Sequence, residues 1–219
     1  GMRLTSHFLL LLISSALLEG KDPNRKALFD GESLSGWQAV GSAKWRVEDG
    51  MILGGQDGDP SRSGILMTEK SFQDFELELE FMIDEHGKYN SGVYLRHGPG
   101  AHRQRGYQVN IGRGVAHEYV GLHYKKWLHK GDEKDTVRKP KDWNHLRIRA
   151  VGAYIQVWLN SKKIVDFTDP NPHPDHVAAG VIGFQTYGAE GHAGWVKFRK
   201  LFITEIAAAG GSRTPETGQ

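Results

Sequence analysis

Residues 75–81 read Phe-Glu-Leu-Glu-Leu-Glu-Phe, with Phe75, Leu77, Leu79 and Phe81 on one side of an extended chain and Glu76, Glu78 and Glu80 on the other. Successive side chains of a strand point to opposite faces, so this is a half-buried strand with a solvated outer row. Nothing in the pattern desolvates the three carboxylates, so they are not prepared for acid–base work. Strand-like runs recur at 44–49, 51–55, 64–69, 92–98, 106–112, 121–127, 143–152, 153–160, 162–169, 180–188 and 194–206, separated by Gly, Pro and Asn/Asp clusters. An amphipathic helix of roughly 12 residues is nowhere indicated. This density of strands predicts an all-β chain folded as an antiparallel sandwich of two sheets. Leu159-Asn160-Ser161-Lys162 reads as a hairpin turn between two of the strands.

Several strands have an unusual second face. In Asn90-Ser91-Gly92-Val93-Tyr94-Leu95-Arg96, Val93 and Leu95 suit a core, while Asn90, Tyr94 and Arg96 line up on the other side. In the 106–112 run, Tyr107, Val109 and Ile111 share a face opposite Gln108 and Asn110; in the 180–188 run, Ile182 and Phe184 oppose Gly183, Gln185 and Tyr187. His123 likewise lies opposite Leu122 and Tyr124. A merely wet face carries Lys, Glu and Thr, whereas amides, an Arg fork and aromatic rings match the hydroxyls and C–H faces of a sugar. The predicted partner is therefore a saccharide bound on the shared polar face.

Composition narrows the alternatives. With 28 Lys and Arg against 26 Asp and Glu, the formal charge of +2 supplies no phosphate-tracking surface, which argues against nucleic acid. Gly at 28 of 219 residues is about twice the usual share, as many tight turns require. The start has Arg3 and His7 before an apolar run from Phe8 to Leu18, the form of a secretory signal peptide over residues 1–20 and too short to span a bilayer. Gly1 before Met2 reads as an addition to the natural start. Zero Cys leaves neither disulfides nor a lipid-bearing thiol, so a secreted or periplasmic product without membrane insertion is expected. One sandwich domain over 26–206 and a disordered tail over 207–219 complete the expected organisation.

The order of motifs resembles a known family. Residues 28–38 (Leu-Phe-Asp-Gly-Glu-Ser-Leu-Ser-Gly-Trp-Gln), the Trp45–Gly50 stretch, residues 90–96, 106–111, Lys139-Pro140 followed by Trp143-Asn144, the hairpin near Leu159-Asn160, Ile182–Gly188 and Val196–Ile203 are similar to the 3-keto-disaccharide hydrolase domain. The resemblance covers nearly all of residues 28–206. It implies a concanavalin A-like jelly roll and the processing of 3-keto-glycosides. Asn90, Arg96 and Gln185 match the family pattern. Gln108 stands where the family often has Glu, Asn110 replaces Gln, Arg113 stands where Asp is common, and Tyr187 replaces His.

The implied reaction needs a base and a group to hold an enolate, since a ketone at C3 acidifies the C2 hydrogen. Arg96 is expected to hold the developing charge and His123 to act as the base, with Tyr187 or Glu118 as alternative bases. Asn90, Tyr94, Gln108, Asn110, Gln185 and Tyr187 are expected to bind substrate. The 11 His contain no metal-protease spacing, and adjacent His117 and Glu118 would point opposite ways in a strand. A divalent cation, for instance Ca²⁺ on loop carboxylates such as Asp57 and Asp59, is the one cofactor the pattern leaves open. Lys125, Lys126, Lys130 and Lys134 around Trp127 alternate with Asp132, Glu133 and Asp135, as in a solvated loop or a lid. A glycoside-cleaving enzyme and a non-catalytic carbohydrate-binding module both fit these residues, and the oligomeric state stays open.

Overall fold

The structure, a computed structural model, describes residues 22–55, 63–84, 89–98, 106–114, 117–187 and 194–207. The expected signal peptide, Asp57, Asp59 and the tail beyond Ala207 lie outside the described residues.

Two antiparallel sheets face each other. The eight-stranded sheet runs β13 (Lys162–Thr168), β12 (Tyr154–Leu159), β11 (Asn144–Val151), β6 (Phe75–Ile83), β15 (Trp195–Glu205), β4 (Met51–Gly55) and β3 (Lys44–Glu48). A short β1 (Arg25–Ala27) pairs with β15 at Phe202–Thr204. The seven-stranded sheet runs β10 (Lys126–His129), β9 (Leu122–Tyr124), β8 (Gln108–Asn110), β7 (Gly92–His97), β14 (Gly180–Thr186), β5 (Gly64–Phe72) and β2 (Trp37–Gly41). Among the described residues one turn of helix, α1 (Pro174–Val177), interrupts the strands.

Alternation explains the layering. Phe75, Leu77, Leu79 and Phe81 of β6 are buried, as are Val93 and Leu95 of β7, Val109 of β8 and Ile182 and Phe184 of β14. Phe184 stacks on Phe198 of the opposite sheet, ring centroids 4.0 Å apart, and on Trp37 at 5.2 Å. The Phe184–Phe198 stack joins the two sheets face to face, and the Trp37 stack extends it within the seven-stranded sheet. The hairpin at Asn160 and Ser161 has φ of 49° and 68°, the doubly positive pair that a two-residue turn of matching twist requires.

The glutamate row of β6 is less wet than its pattern suggests. Glu80, Glu78 and Glu76 sit directly across from His145, Arg147 and Arg149 of β11. Glu78 pairs with His145 at 2.9 Å and Arg25 at 3.3 Å, and Glu80 with Arg199 at 2.6 Å. Burial alone would raise the Glu78 carboxyl, but its hydrogen bond to His145 and the charge of Arg25 outweigh that and hold it below its ordinary value.

The run at 121–127 is not one strand. Lys125 has φ of 55°, so the chain reverses there and Lys126 and Trp127 belong to β10, paired back onto Tyr124 and His123. Trp127 is a strand residue, not part of a solvated loop.

Candidate functional site

The outer face of the seven-stranded sheet carries one continuous row. Gln38, Met67, Gly183, Tyr94, Gln108, His123 and Trp127 are successive cross-strand partners from β2 to β10. Directly paired residues share a face, so these side chains form a strip across the sheet.

Two glycines shape that strip. A Cβ on Gly92 would stand 2.2 Å from Gln108 Nε2; without it, the Gln108 amide crosses over β7 and donates to Gln185 Oε1 at 2.7 Å. A Cβ on Gly183 would stand 2.9 Å from Ile65 Cγ2 and 3.5 Å from Tyr94 Cδ2, so its absence lets the Tyr94 ring lie low beside Ile65 and Met67. The result is a recess of about 210 Å³ whose walls include Val40, Ile65, Tyr94, Gln185 and the half-exposed Tyr187. Burial pushes the Tyr94 phenol up to about 12, which leaves it a neutral hydrogen-bonding group at any physiological pH.

His123 flanks the amide pair. Its ring meets Trp127 edge to face at 5.0 Å, and Trp127 meets Tyr119 the same way at 5.1 Å. His123 Nδ1 is buried with no hydrogen-bond partner among the described residues, and burial lowers its pKa below the ordinary value. The imidazole is thus neutral near pH 7, the form able to accept a proton. Farther along, Asn90 Nδ2 donates to Glu118 Oε1 at 3.4 Å, and Glu118 Oε2 accepts from the Gly114 amide at 2.7 Å. Asn90 Oδ1 is buried without a hydrogen-bond partner among the described residues.

Two expected site residues are placed elsewhere. Arg96 has φ of 55°, which breaks the alternation of β7 and turns its side chain away from Tyr94. The guanidinium is buried and donates to the carbonyls of Gln73, Gly152 (2.8 Å) and His176 (2.8 Å) and to Asp74 Oδ1 (3.2 Å). It ties β7 to the β11–β12 turn and to α1, so its donors are not directed at the recess. Asn110 does fall on β8, but its Nδ2 donates to Gly112 O (2.6 Å) and Tyr119 O (2.8 Å) and braces the following loop.

Tyr94, Gln108, Gln185, Tyr187 and His123 are therefore brought to one face, with Asn90 beside them. Trp127 and Tyr119 were not anticipated there; the four residues of β10, Lys-Trp-Leu-His, show no alternation that would have marked the face of Trp127. Among the described residues no group of three or more His, Asp or Glu side chains converges as a metal site.

The model of the 3-keto-alpha-glucoside-1,2-lyase-like domain matches residues 24–204. The chain belongs to that family. It is 35% identical over 75 residues to the 3-keto-disaccharide hydrolase of Bacteroides thetaiotaomicron, covering 31% of this chain and 25% of that relative. It thus matches about a quarter of the relative's length. A Parabacteroides distasonis structure provisionally named a glycosyl hydrolase superposes with a TM-score of 0.62 at 19% identity, over 84% of this chain and 94% of that one. The carbohydrate-binding module CBM66 of Bacillus subtilis superposes with 0.55 at 18% identity, over 78% and 96%. Galectin-like and legume-lectin-like chains superpose as well, so the two-sheet sandwich is a jelly roll of the concanavalin A-like kind.

Proposed function

We propose that this family member cleaves 3-keto-glycosides on the outer face of the seven-stranded sheet. The observation that carries the reading is the Gln108–Gln185 amide pair, set between the Tyr94 and Tyr187 rings on one side and the neutral, partly buried His123 on the other. The amides orient hydroxyls and the rings cover C–H faces.

His123 takes the proton from C2, the electron pair moves into the C2–C3 enolate, and collapse of the enolate breaks the C1–O bond. The departing oxygen takes that proton from the His123 imidazolium and leaves as the free alcohol, which restores the neutral base. Water then adds its oxygen to C1 and a proton returns to C2, so the sum is hydrolysis without the opposed carboxylates of ordinary glycosidases. With Arg96 engaged elsewhere, the donors for the enolate oxygen are amide N–H groups, Gln185 foremost. Export to the periplasm or medium belongs to the same proposal, on the strength of the apolar run from Phe8 to Leu18.

The test is incubation with 3-keto-trehalose or a 3-keto-glucoside, with added divalent cation and with chelator. His123→Ala should lower kcat by roughly 10²-fold or more while sugar affinity changes little, in keeping with loss of a general base. Unchanged turnover in that variant removes His123 as the base. Measurable sugar binding with no product under any condition would favour a non-catalytic binding module, a reading that the amide-rich, carboxylate-poor floor and the likeness to a carbohydrate-binding module support.

A further inference from the structure

A larger cavity lies away from the Gln108–Gln185 floor. Where β10, the last strand of one sheet, faces the end of β13, the last strand of the other, a cleft of about 740 Å³ opens at the sandwich edge. Its walls combine the apolar and aromatic side chains of Tyr124, Trp127, Leu128, Phe167 and Pro170 with polar and charged ones, among them Asp169, Asn171 and His173. Lys125 and Lys126 stand exposed at its rim, and Lys125 Nζ lies 5.4 Å from the centre of the Tyr124 ring.

The lining acid is already engaged: Asp169 accepts from the Tyr107 hydroxyl at 2.8 Å and from the Asn171 amide at 3.0 Å. Two lysines at the mouth are therefore set against one carboxylate that has internal donors. At the back sits His176, itself 3% exposed, its ring 4.1 Å from that of Tyr124 and 5.0 Å from that of Tyr107. His176 Nδ1 is buried with no partner among the described residues, so the wall holds an unspent polar atom. A volume of this size, with aromatic walls, polar groups from Asn171, His173 and His176 and a cationic mouth, has the features of a small-molecule site.

We propose that this edge cleft binds a small aromatic anion, its ring between Tyr124 and Phe167 and its carboxylate or sulfonate at Lys125 and Lys126. Flat walls favour an aromatic ring over an aliphatic chain, and the rim charge selects an anion over a neutral sugar. The cleft shares Trp127 with the strip that carries His123, and the rest of its lining lies outside that strip.

The test follows backbone amide shifts of the full chain during titration with 4-nitrobenzoate, with 4-nitrobenzyl alcohol and with cellobiose. Saturable shifts at Lys126, Asn171 and His173 are expected with the benzoate, and binding of the neutral alcohol should be several-fold weaker. The double variant Lys125→Asn, Lys126→Ala, in which Asn tolerates the positive φ, should weaken the benzoate by roughly tenfold and leave the alcohol unchanged. Equal affinities for acid and alcohol, shifts confined to the His123 and Gln185 face, or no saturable shift would each overturn the proposal. Saturation at these amides by cellobiose but not by 4-nitrobenzoate would overturn it in favour of a second sugar site.

Discussion

Gly92 and Arg96, four residues apart on β7, show how differently neighbouring positions serve the molecule. A methyl group at Gly92 meets the Gln108 side chain from Cγ to Nε2, which must swing aside rather than shift backbone. Gly92→Ala should therefore leave the melting temperature within a few degrees of the parent but break the Gln108–Gln185 bond and weaken sugar binding about tenfold by calorimetry. Wild-type affinity in that variant would show that the amide pair does not hold the ligand. Gly180 provides a contrast, because a Cβ there would stand 2.5 Å from the backbone carbon of Arg96, which cannot swing. Arg96→Ala should cost about 3–5 kcal/mol in urea unfolding, since it strands a part-buried Asp74 carboxylate and three carbonyls. A fully stable Arg96→Ala that had lost turnover would return Arg96 to the site.

At the scale of elements, strands were legible wherever one face was apolar and the other was not. β6, β11 and β12 alternate buried and half-exposed along their whole length, and the pattern could hardly be read otherwise. β2 escaped notice because only Trp37 of its five residues is buried, and β1 because three residues carry no period. The polar floor was legible for Tyr94, Gln108, Gln185 and His123 for the same reason, strict alternation within short strands. Arg96 was misplaced because a left-handed φ at a non-glycine residue leaves no mark in the pattern, and Lys125 hid the start of β10 in the same way. The β6–β11 charge row gives a prediction of its own. Glu78→Gln should lower stability by no more than about 1 kcal/mol, because the pair is partly exposed, and the loss should shrink in high salt. A salt-independent loss of several kcal/mol would mean that the row is a buried network. Turnover should not change, since these side chains lie on the far side of the other sheet.

Over the whole molecule, acid should act on stability and on turnover at different points. His123 on the outer face and His176 at the sandwich edge both have pKa values lowered from 6.5, in each case chiefly by burial. For His176 the nearby His173 adds to the lowering, while Asp169 and Asp175 oppose it. A lowered folded-state pKa means that the unfolded chain takes up the proton first as pH falls. These two groups therefore leave stability unaffected above 6.5 and subtract from it as pH drops from 6.5 towards their folded values, below which the loss levels off. Turnover per folded molecule follows the folded pKa of His123 instead, so its acid limb should begin at a lower pH than the decline in stability. Urea unfolding at a series of pH values, set beside initial rates measured where the protein remains folded, checks the order. His123→Gln should shallow the stability slope below 6.5 and abolish the acid limb of the residual rate, while His176→Asn should change only the slope. An acid limb that begins above 6.5, or survives in His123→Gln, would assign the base to a group other than His123.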